Sequence, residues 1–301
     1  MVGYQSTKQG SQREGTTMKE NRPSRTAQSV AMSRAAHQIL DDPKVFDDPV
    51  AIRIIGKENA SALLSDPHKL ENTRLSPYLR AFIAARSRYD EDELTLSVQR
   101  GVCQYVILGA GLDTFAYRNP YPEGMLHVFE VDHPSTQSWK RSCLEEAGII
   151  LPNDLTFVPV DFDAQTPEDG LDRAGFDPGK CTFFSWLGVT EYLRTKTVMA
   201  TLHFIASAPR GSGVVFDYLI SPSLLTPAQR LVFDILAQRV ASAGELWRTF
   251  FEPTSLKRDL HAMGFGHVKD NGQEEINETY FKDRKDGLKV GSLSHVMIAQ
   301  V

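Results

Sequence analysis

The chain has 301 residues, 41% apolar and 24% charged, with a formal net charge of −5. This suits one large α/β domain, or one domain with an added cap, and gives no basic footprint for nucleic acid. No apolar run approaches the roughly 18–20 residues of a membrane span, and the first residues lack the apolar core of a signal peptide. Three widely spaced cysteines, Cys103, Cys143 and Cys181, fit a reducing, cytoplasmic setting and build no metal cage. The eight histidines show no paired ligand spacing, so no metal is expected.

Residues 1–23 are polar and read as a disordered tail, with Glu14 and Glu20 interrupting any transit-peptide character. Residues 24–101 read as a helical cap. Thr26 stands where it could cap a helix running to about residue 40. Asp48-Pro49 reads as a cap with a first-turn proline, and Gly56 as the stop. Ser76-Pro77 repeats that signal, opening a long helix that Gly101 closes. Within it Leu79, Phe82, Ile83 and Arg86 share one face. Arg86 therefore lies on an apolar stripe. Either its stem packs while its head reaches water, or it is aimed into a site to meet a carboxylate.

Residues 102–301 alternate between strand and helix. Strands are expected near 103–108, 126–131, 155–160, 181–186 and 214–216, the last ending on Asp217. Helices are expected at 134–148, from a Thr195 cap with Val198, Leu202 and Ile205 inward, at 226–243 and at 253–264. A short strand at 266–270 and a terminal strand at 295–301 finish the chain. Such alternation implies a mostly parallel, doubly wound sheet with helices on both faces. The ending suits a last strand inserted antiparallel.

The first of these strands stops at Gly109-Ala110-Gly111, and the second and third end on Asp132 and Asp161. Glycines let a backbone approach a nucleotide-like ligand, and a later carboxylate can meet ribose hydroxyls. The plainer reading is that both acids cap the next helix. A dinucleotide turn wants a third glycine three residues after the second, and that position is Thr114. S-Adenosylmethionine has no phosphate. It needs ribose acceptors, an adenine slot and a counter-charge for its carboxylate, which Asp132, the Asp161-Phe162 pair and Arg86 could supply.

These residues resemble the leucine carboxyl methyltransferase-like superfamily of S-adenosylmethionine-dependent methyltransferases, most nearly its bacterial and fungal small-molecule O-methyltransferase branch. The resemblance spans about residues 25 to 301. It is carried by Thr26-Ala27, Phe46-Asp47-Asp48-Pro49 and Ala85-Arg86-Ser87-Arg88-Tyr89, then by the run from Leu108 to Thr114 and Glu130-Val131-Asp132-His133-Pro134. The run from Phe184 to Thr190, the run from Gly213 to Tyr218, and Tyr280-Phe281 with Arg284 complete it. It implies a Rossmann-like class I methyltransferase fold. It also implies that Arg86 pairs with the cofactor carboxylate, that Gly109, Ala110 and Gly111 pass under its methionine part, and that Asp132 binds the ribose. Asp161 and Phe162 would border the adenine, and the segment from Ser185 through Trp186 and Leu187 to Gly188 would lie beside the sulfonium. Protein-directed members carry a glutamate just before that glycine; this chain has Leu187.

Methyl transfer to oxygen needs position and a dry site more than a catalytic group. A carboxylate acceptor is already ionised at neutral pH, whereas a phenol benefits from a base. No His-Asp pair stands at persuasive spacing, which leans toward a carboxylic acid acceptor and a methyl ester, with a polyketide-type hydroxyl as the other choice. Tyr192, Glu191 and His203 are weak catalytic candidates. His37 and His133 read as packing or capping residues. Arg34, Tyr192, Tyr218, Glu245, Trp247, Phe250 and Phe251 are candidate walls of an acceptor pocket. A monomer or weak homo-oligomer is expected, with no nucleic-acid or membrane partner. The rivals are a protein C-terminal carboxyl methyltransferase, an NAD(P)-dependent oxidoreductase and a catalytically silent cofactor-binding module.

Overall fold

Short strands, most of them apolar runs followed by a helix or turn, assemble a seven-stranded sheet. The computed structural model describes residues 24–70, 73–162 and 164–301, so the expectation for residues 1–23 lies outside the described residues. The strands are β1 (Gln104–Leu108), β2 (His127–Asp132), β3 (Leu155–Pro159), β4 (Thr182–Trp186), β5 (Gly213–Leu219), β6 (His267–Asn271) and β7 (Ser294–Gln300). Their order is β3-β2-β1-β4-β5-β7-β6. β1 to β5 run parallel, and β7 lies antiparallel between β5 and β6, as the chain's ending suggested. The strand order reverses between β1 and β4, and open α/β sheets bind ligands at the carboxyl ends of strands around such a point.

Among the described residues ten α-helices surround the sheet: α1 (Arg25–Leu40), α2 (Ala51–Ile54), α3 (Lys57–Ser65), α4 (Ser76–Gln99), α5 (Pro134–Glu146), α6 (Pro167–Arg173), α7 (Thr195–Ala206), α8 (Pro227–Ser242), α9 (Pro253–Met263) and α10 (Gln273–Tyr280). Strand alternation sends Tyr105, Ile107, Phe183 and Val215 to one face, where Ala81, Ala84 and Ala85 of α4 cover them. Val106, Leu108, Phe184, Trp186 and Phe216 point to the other face, beneath Val198, Leu202 and Ile205 of α7 and Leu256 and Leu260 of α9. A third cluster joins α1 and α2 to Leu112 and to Leu144 of α5. The helices before β1 thus share their core with the sheet.

Several local expectations are corrected. Ser24 caps α1 by accepting from the Ala27 amide at 3.1 Å; Thr26 lies in the first turn. α2 begins at Ala51, because Asp48 Oδ1 accepts from the Val50 amide at 3.0 Å and closes a turn there first. Arg194, not Thr195, is the N-cap residue of α7. β5 continues through Asp217 to Leu219. α3, α6 and α10 are short, and their periodicity is too brief to announce them.

His37 is structural. Its Nε2 accepts from the amides of Val45 and Phe46, both at 3.1 Å, so Nδ1 carries the proton toward Asp41 Oδ2 at 2.6 Å. Arg80 Nε, 2.8 Å away, closes on the same carboxylate. This buried knot ties α1 to α4 and holds the loop after α1.

Candidate functional site

A cavity of about 520 Å³ opens at the carboxyl ends of β1, β2, β4 and β5, within the range of small-molecule sites. The turn from Gly109 to Gly111 forms part of its floor. Gly109 and Gly111 have φ of 72° and 46°, the region that favours glycine. The amides of Gly109 and Ala110 both donate to the Val131 carbonyl, at 2.7 and 3.1 Å, folding the turn against β2. A Cβ on Gly109 would stand 2.4 Å from Val189 Cγ2.

Asp132 completes this corner. Its Oδ2 accepts from the Gly111 amide at 2.5 Å and its Oδ1 from the His133 amide at 2.6 Å. Burial raises the carboxyl above its ordinary value, although both amides pull it down. The capping alternative fails for Asp132, because His133 caps α5, its Nδ1 accepting from the Ser135 amide at 3.2 Å. Thr166, not Asp161, caps α6. Both aspartates line the cavity, with Phe162 beside Asp161.

Arg86 is buried and lines the cavity, so its head does not reach bulk water. Its Nη1 donates to Asp217 Oδ2 at 2.6 Å, while Asp217 Oδ1 accepts from the Gly188 amide at 2.6 Å. Thr190 Oγ1 donates to the Asp217 carbonyl at 2.7 Å. Gly188 adopts φ of 72°, and a Cβ there would meet Arg86 Nη2 at 2.7 Å. The loop after β4 therefore wraps the Arg86–Asp217 pair closely.

Glu191 sits in a single 3-10 turn, Thr190–Tyr192, at the same end. It is buried, lines the cavity, and its Oε2 has no hydrogen-bond partner in the protein. Burial, then the charge of Asp217, pushes its carboxyl up to about 8, against the pull of Arg86. Tyr192 follows, its hydroxyl raised by burial and by Glu191. Asp217, the end of an expected strand and part of the run from Gly213 to Tyr218 that carries the resemblance, has no site role in the sequence reading, yet it is the carboxylate that Arg86 meets.

The other expected site residues divide. Leu187, Tyr192, Trp247, Glu245 and Arg34 all line the cavity. Glu245 is engaged with the start of α1, accepting from Ser24 Oγ at 3.0 Å and from Thr26 Oγ1 at 2.5 Å. Arg34 donates to the Leu112 carbonyl, and its Nε lies 3.0 Å from Asp48 Oδ2. Both polar walls are thus held by the protein itself.

Trp186, Tyr218, Phe251 and His203 lie outside the cavity and are corrections. Trp186 is fully buried on the opposite face of the sheet, because Ser185 and Leu187 take the cavity side. Tyr218 alternates with Asp217 and points away; its hydroxyl donates to Asp270 Oδ1 at 2.9 Å and its ring packs against Phe251. Phe250 packs on Phe233. His203 is exposed on α7, since Val198, Leu202 and Ile205 form the inward face. The chamber's apolar walls come instead from Leu79, Phe82 and Ile83 of α4, Leu236 and Val240 of α8, and Leu246. The three-residue and four-residue spacing of Phe233, Leu236 and Val240 is the signal that could have found α8's share.

The turn suits a nucleoside without phosphates. Between Gly111 and β2 the chain makes one 3-10 turn, Phe115–Tyr117, and no α-helix, so the turn has no α-helix N-terminus for a pyrophosphate. Thr114, at the missing glycine, is buried and donates to Asp48 Oδ2 at 2.7 Å. The Gly111 amide is taken by Asp132, whose carboxylate would repel a phosphate. S-Adenosylmethionine fits this donor set: a buried guanidinium for its carboxylate, glycine backbone for close approach, and an acid with spare lone pairs for its ribose.

A family model described as leucine carboxyl methyltransferase matches residues 27–206. The chain is 33% identical over 302 residues to YktD of Bacillus subtilis (strain 168), provisionally described as an S-adenosyl-L-methionine-dependent methyltransferase, covering 94% of this chain and 99% of that protein. A Mycolicibacterium smegmatis protein with a similar provisional description is 36% identical over 235 residues, 74% of this chain and 73% of its own. A crystal structure of a DUF574 family protein from Streptomyces avermitilis shares the fold, with a TM-score of 0.52 at 12% identity over 93% of this chain and 98% of that one.

Proposed function

The chain belongs to the leucine carboxyl methyltransferase family of S-adenosylmethionine-dependent methyltransferases, and from that premise we propose that it methylates an oxygen atom of a small acceptor with an apolar body. The observation that carries this reading is one cavity holding Asp132, Arg86 and the Gly109–Gly111 turn together, with the Asp132 carboxylate serving the turn rather than capping α5.

The cofactor brings an activated methyl group and a neutral thioether as leaving group. The protein's part is position and dryness. Arg86, held in place through Nη1 by Asp217, is the counter-charge for the cofactor carboxylate. Asp132 takes the ribose hydroxyls, and Asp161 with Phe162 borders the adenine. The apolar walls from α4 and α8 strip water from the acceptor and orient it, an effect worth up to about 7–11 kcal/mol in favourable cases. Leu187, standing where protein-directed relatives carry a glutamate, supports a small acceptor over a protein tail.

Isothermal calorimetry with S-adenosylmethionine tests the cofactor site. Asp132→Ala is expected to weaken binding at least about tenfold, the equivalent of about 1.4 kcal/mol; an unchanged affinity would remove the ribose role. Incubating a metabolite extract with deuteromethyl-labelled cofactor tests the reaction. A labelled methyl ester or ether supports it, and full cofactor binding without any labelled product would support the silent module instead.

A further inference from the structure

We propose that Glu191 takes the proton from a hydroxyl of the methyl acceptor, so that the product is a methyl ether of an alcohol or phenol rather than a methyl ester; this rests on the O-methylation reading above. The first observation is the orphaned Oε2, a buried acceptor with no protein partner in a residue that lines the cavity. Buried acceptors are nearly always paired, and the partner missing here is a donor that a ligand can bring. To the ionised Glu191 a hydroxyl is such a donor and a carboxylate is not.

The second observation is charge. Asp217 on β5 and Glu245 after α8 both raise the Glu191 carboxyl, and Arg86 on α4, the cation that lowers it, is already bonded to Asp217. Tyr192 adjoins it, and the Arg248 amide holds its backbone carbonyl at 2.6 Å. A carboxylate acceptor would bring one more negative charge to this acidic end. A neutral hydroxyl brings none. Burial and Asp217 also lift the Glu191 carboxyl to about 8, which narrows the gap to a phenol near 10 and suits a general base.

The step balances without another reagent. The hydroxyl proton passes to Glu191 Oε2 as an oxygen lone pair forms the new O–C bond. The C–S pair stays on sulfur, and the proton later leaves Glu191 for water.

The test uses the full chain with naphthol and naphthoic acid, which share one apolar body and differ in the reacting group. With deuteromethyl-labelled cofactor, mass spectrometry is expected to find the naphthyl methyl ether and no ester. The rate should rise with pH through about 8, where Glu191 ionises. Glu191→Gln should lower it about 10²–10⁴-fold, the usual worth of a general base, and Glu191→Asp should restore part of it. Two readouts do not depend on turnover. Cofactor affinity by calorimetry should be unchanged in Glu191→Gln, and the infrared band of a protonated carboxyl that titrates in the wild type near pH 8 should be missing from the variant. Ester formation that Glu191→Gln leaves intact overturns the proposal. So does a Glu191→Gln loss of cofactor affinity, which would make Glu191 the partner of the cofactor's ammonium, and so does intact cofactor binding with neither probe labelled. Absent cofactor binding in the wild type would instead defeat the underlying reading.

Discussion

Arg86 and Asp217 meet across the floor of the cavity, Nη1 to Oδ2 at 2.6 Å, with both side chains more than nine-tenths buried. They come from α4 and β5, 131 positions apart. Taking away one partner of a buried pair strands the other's charge, at a cost of about 3–5 kcal/mol. Arg86→Ala should therefore lower unfolding stability by about that amount and weaken S-adenosylmethionine binding at least about tenfold. Arg86→Lys should recover much of the stability but less of the affinity, because an ammonium lacks the fork that can face two carboxylates at once. Denaturant melts and calorimetry on both variants check this. Native stability in Arg86→Ala would show that Asp217 does not depend on its partner.

Gly109→Ala should damage the turn beside Asp132 by two separable routes. The new Cβ would stand 2.4 Å from Val189 Cγ2, and φ of 72° is strained for any side chain. Together these should destabilise the protein by about 1–3 kcal/mol and weaken the cofactor. Adding Val189→Ala removes the clash and leaves the backbone strain. The double variant should regain part of the stability of Gly109→Ala, and no recovery at all would place the whole cost in the backbone.

The sheet and the corner of Gly109, Gly111 and Asp132 were legible because their signals are local. β1, β2, β4 and β5 are apolar runs, and Gly109, Gly111 and Asp132 stand where such runs stop. The Arg86 stripe was legible too, since Phe82, Ile83 and Arg86 do line one cavity together. What failed was the sorting of sides. Strand alternation puts Trp186 opposite Ser185, and Tyr218 opposite Asp217, although the resemblance implies Trp186 beside the sulfonium and aromatic chemistry makes Tyr218 a candidate wall. The fates of Arg34 and Glu245 had no local signal at all. Arg34 is claimed by Leu112 and Asp48, and Glu245 by Ser24 and Thr26, across long stretches of chain. The orphaned Oε2 of Glu191 is likewise a property of the packed cavity and not of its neighbours in sequence.

Beneath the Asp132 corner, Lys140 Nζ of α5 lies 2.6 Å from Glu130 Oε2 of β2, with both side chains 1% exposed. The Tyr117 hydroxyl donates to the same carboxylate at 3.2 Å. Burial outweighs Lys140 and lifts the Glu130 carboxyl to about 7. Lys140→Met should cost about 3–5 kcal/mol where Glu130 is ionised, above that value, and less below it, where Glu130 can take a proton instead. Replacing both with apolar residues should restore most of the loss. Melts of the single and double variants on each side of neutral pH decide this; a pH-independent loss would assign the effect to packing alone.

Glu191 and Glu130 set the direction of pH-dependent stability around neutrality. Both carboxyls are raised in the folded chain, to about 8 and about 7, from an ordinary value of 4.5. Through these groups the folded state binds more protons than the unfolded chain between about 4.5 and 8. The raised carboxyls of Asp90, Asp132 and Glu91 act in the same direction. Among the described residues only the lowered His127 imidazole opposes them, below its ordinary value of 6.5, so stability falls as pH rises through that window. The depressed carboxyls of Asp41, Asp286 and Glu252 act only below their ordinary values and leave this window untouched. Urea midpoints of the ligand-free protein should decline from about pH 5 to pH 8 and then level. Glu191→Gln should flatten the upper part of that decline while the Glu130 share persists. A rise in stability over the same range, or an unaltered slope in Glu191→Gln, would mean that the Glu191 carboxyl ionises freely in the folded protein, which its burial beside Asp217 argues against.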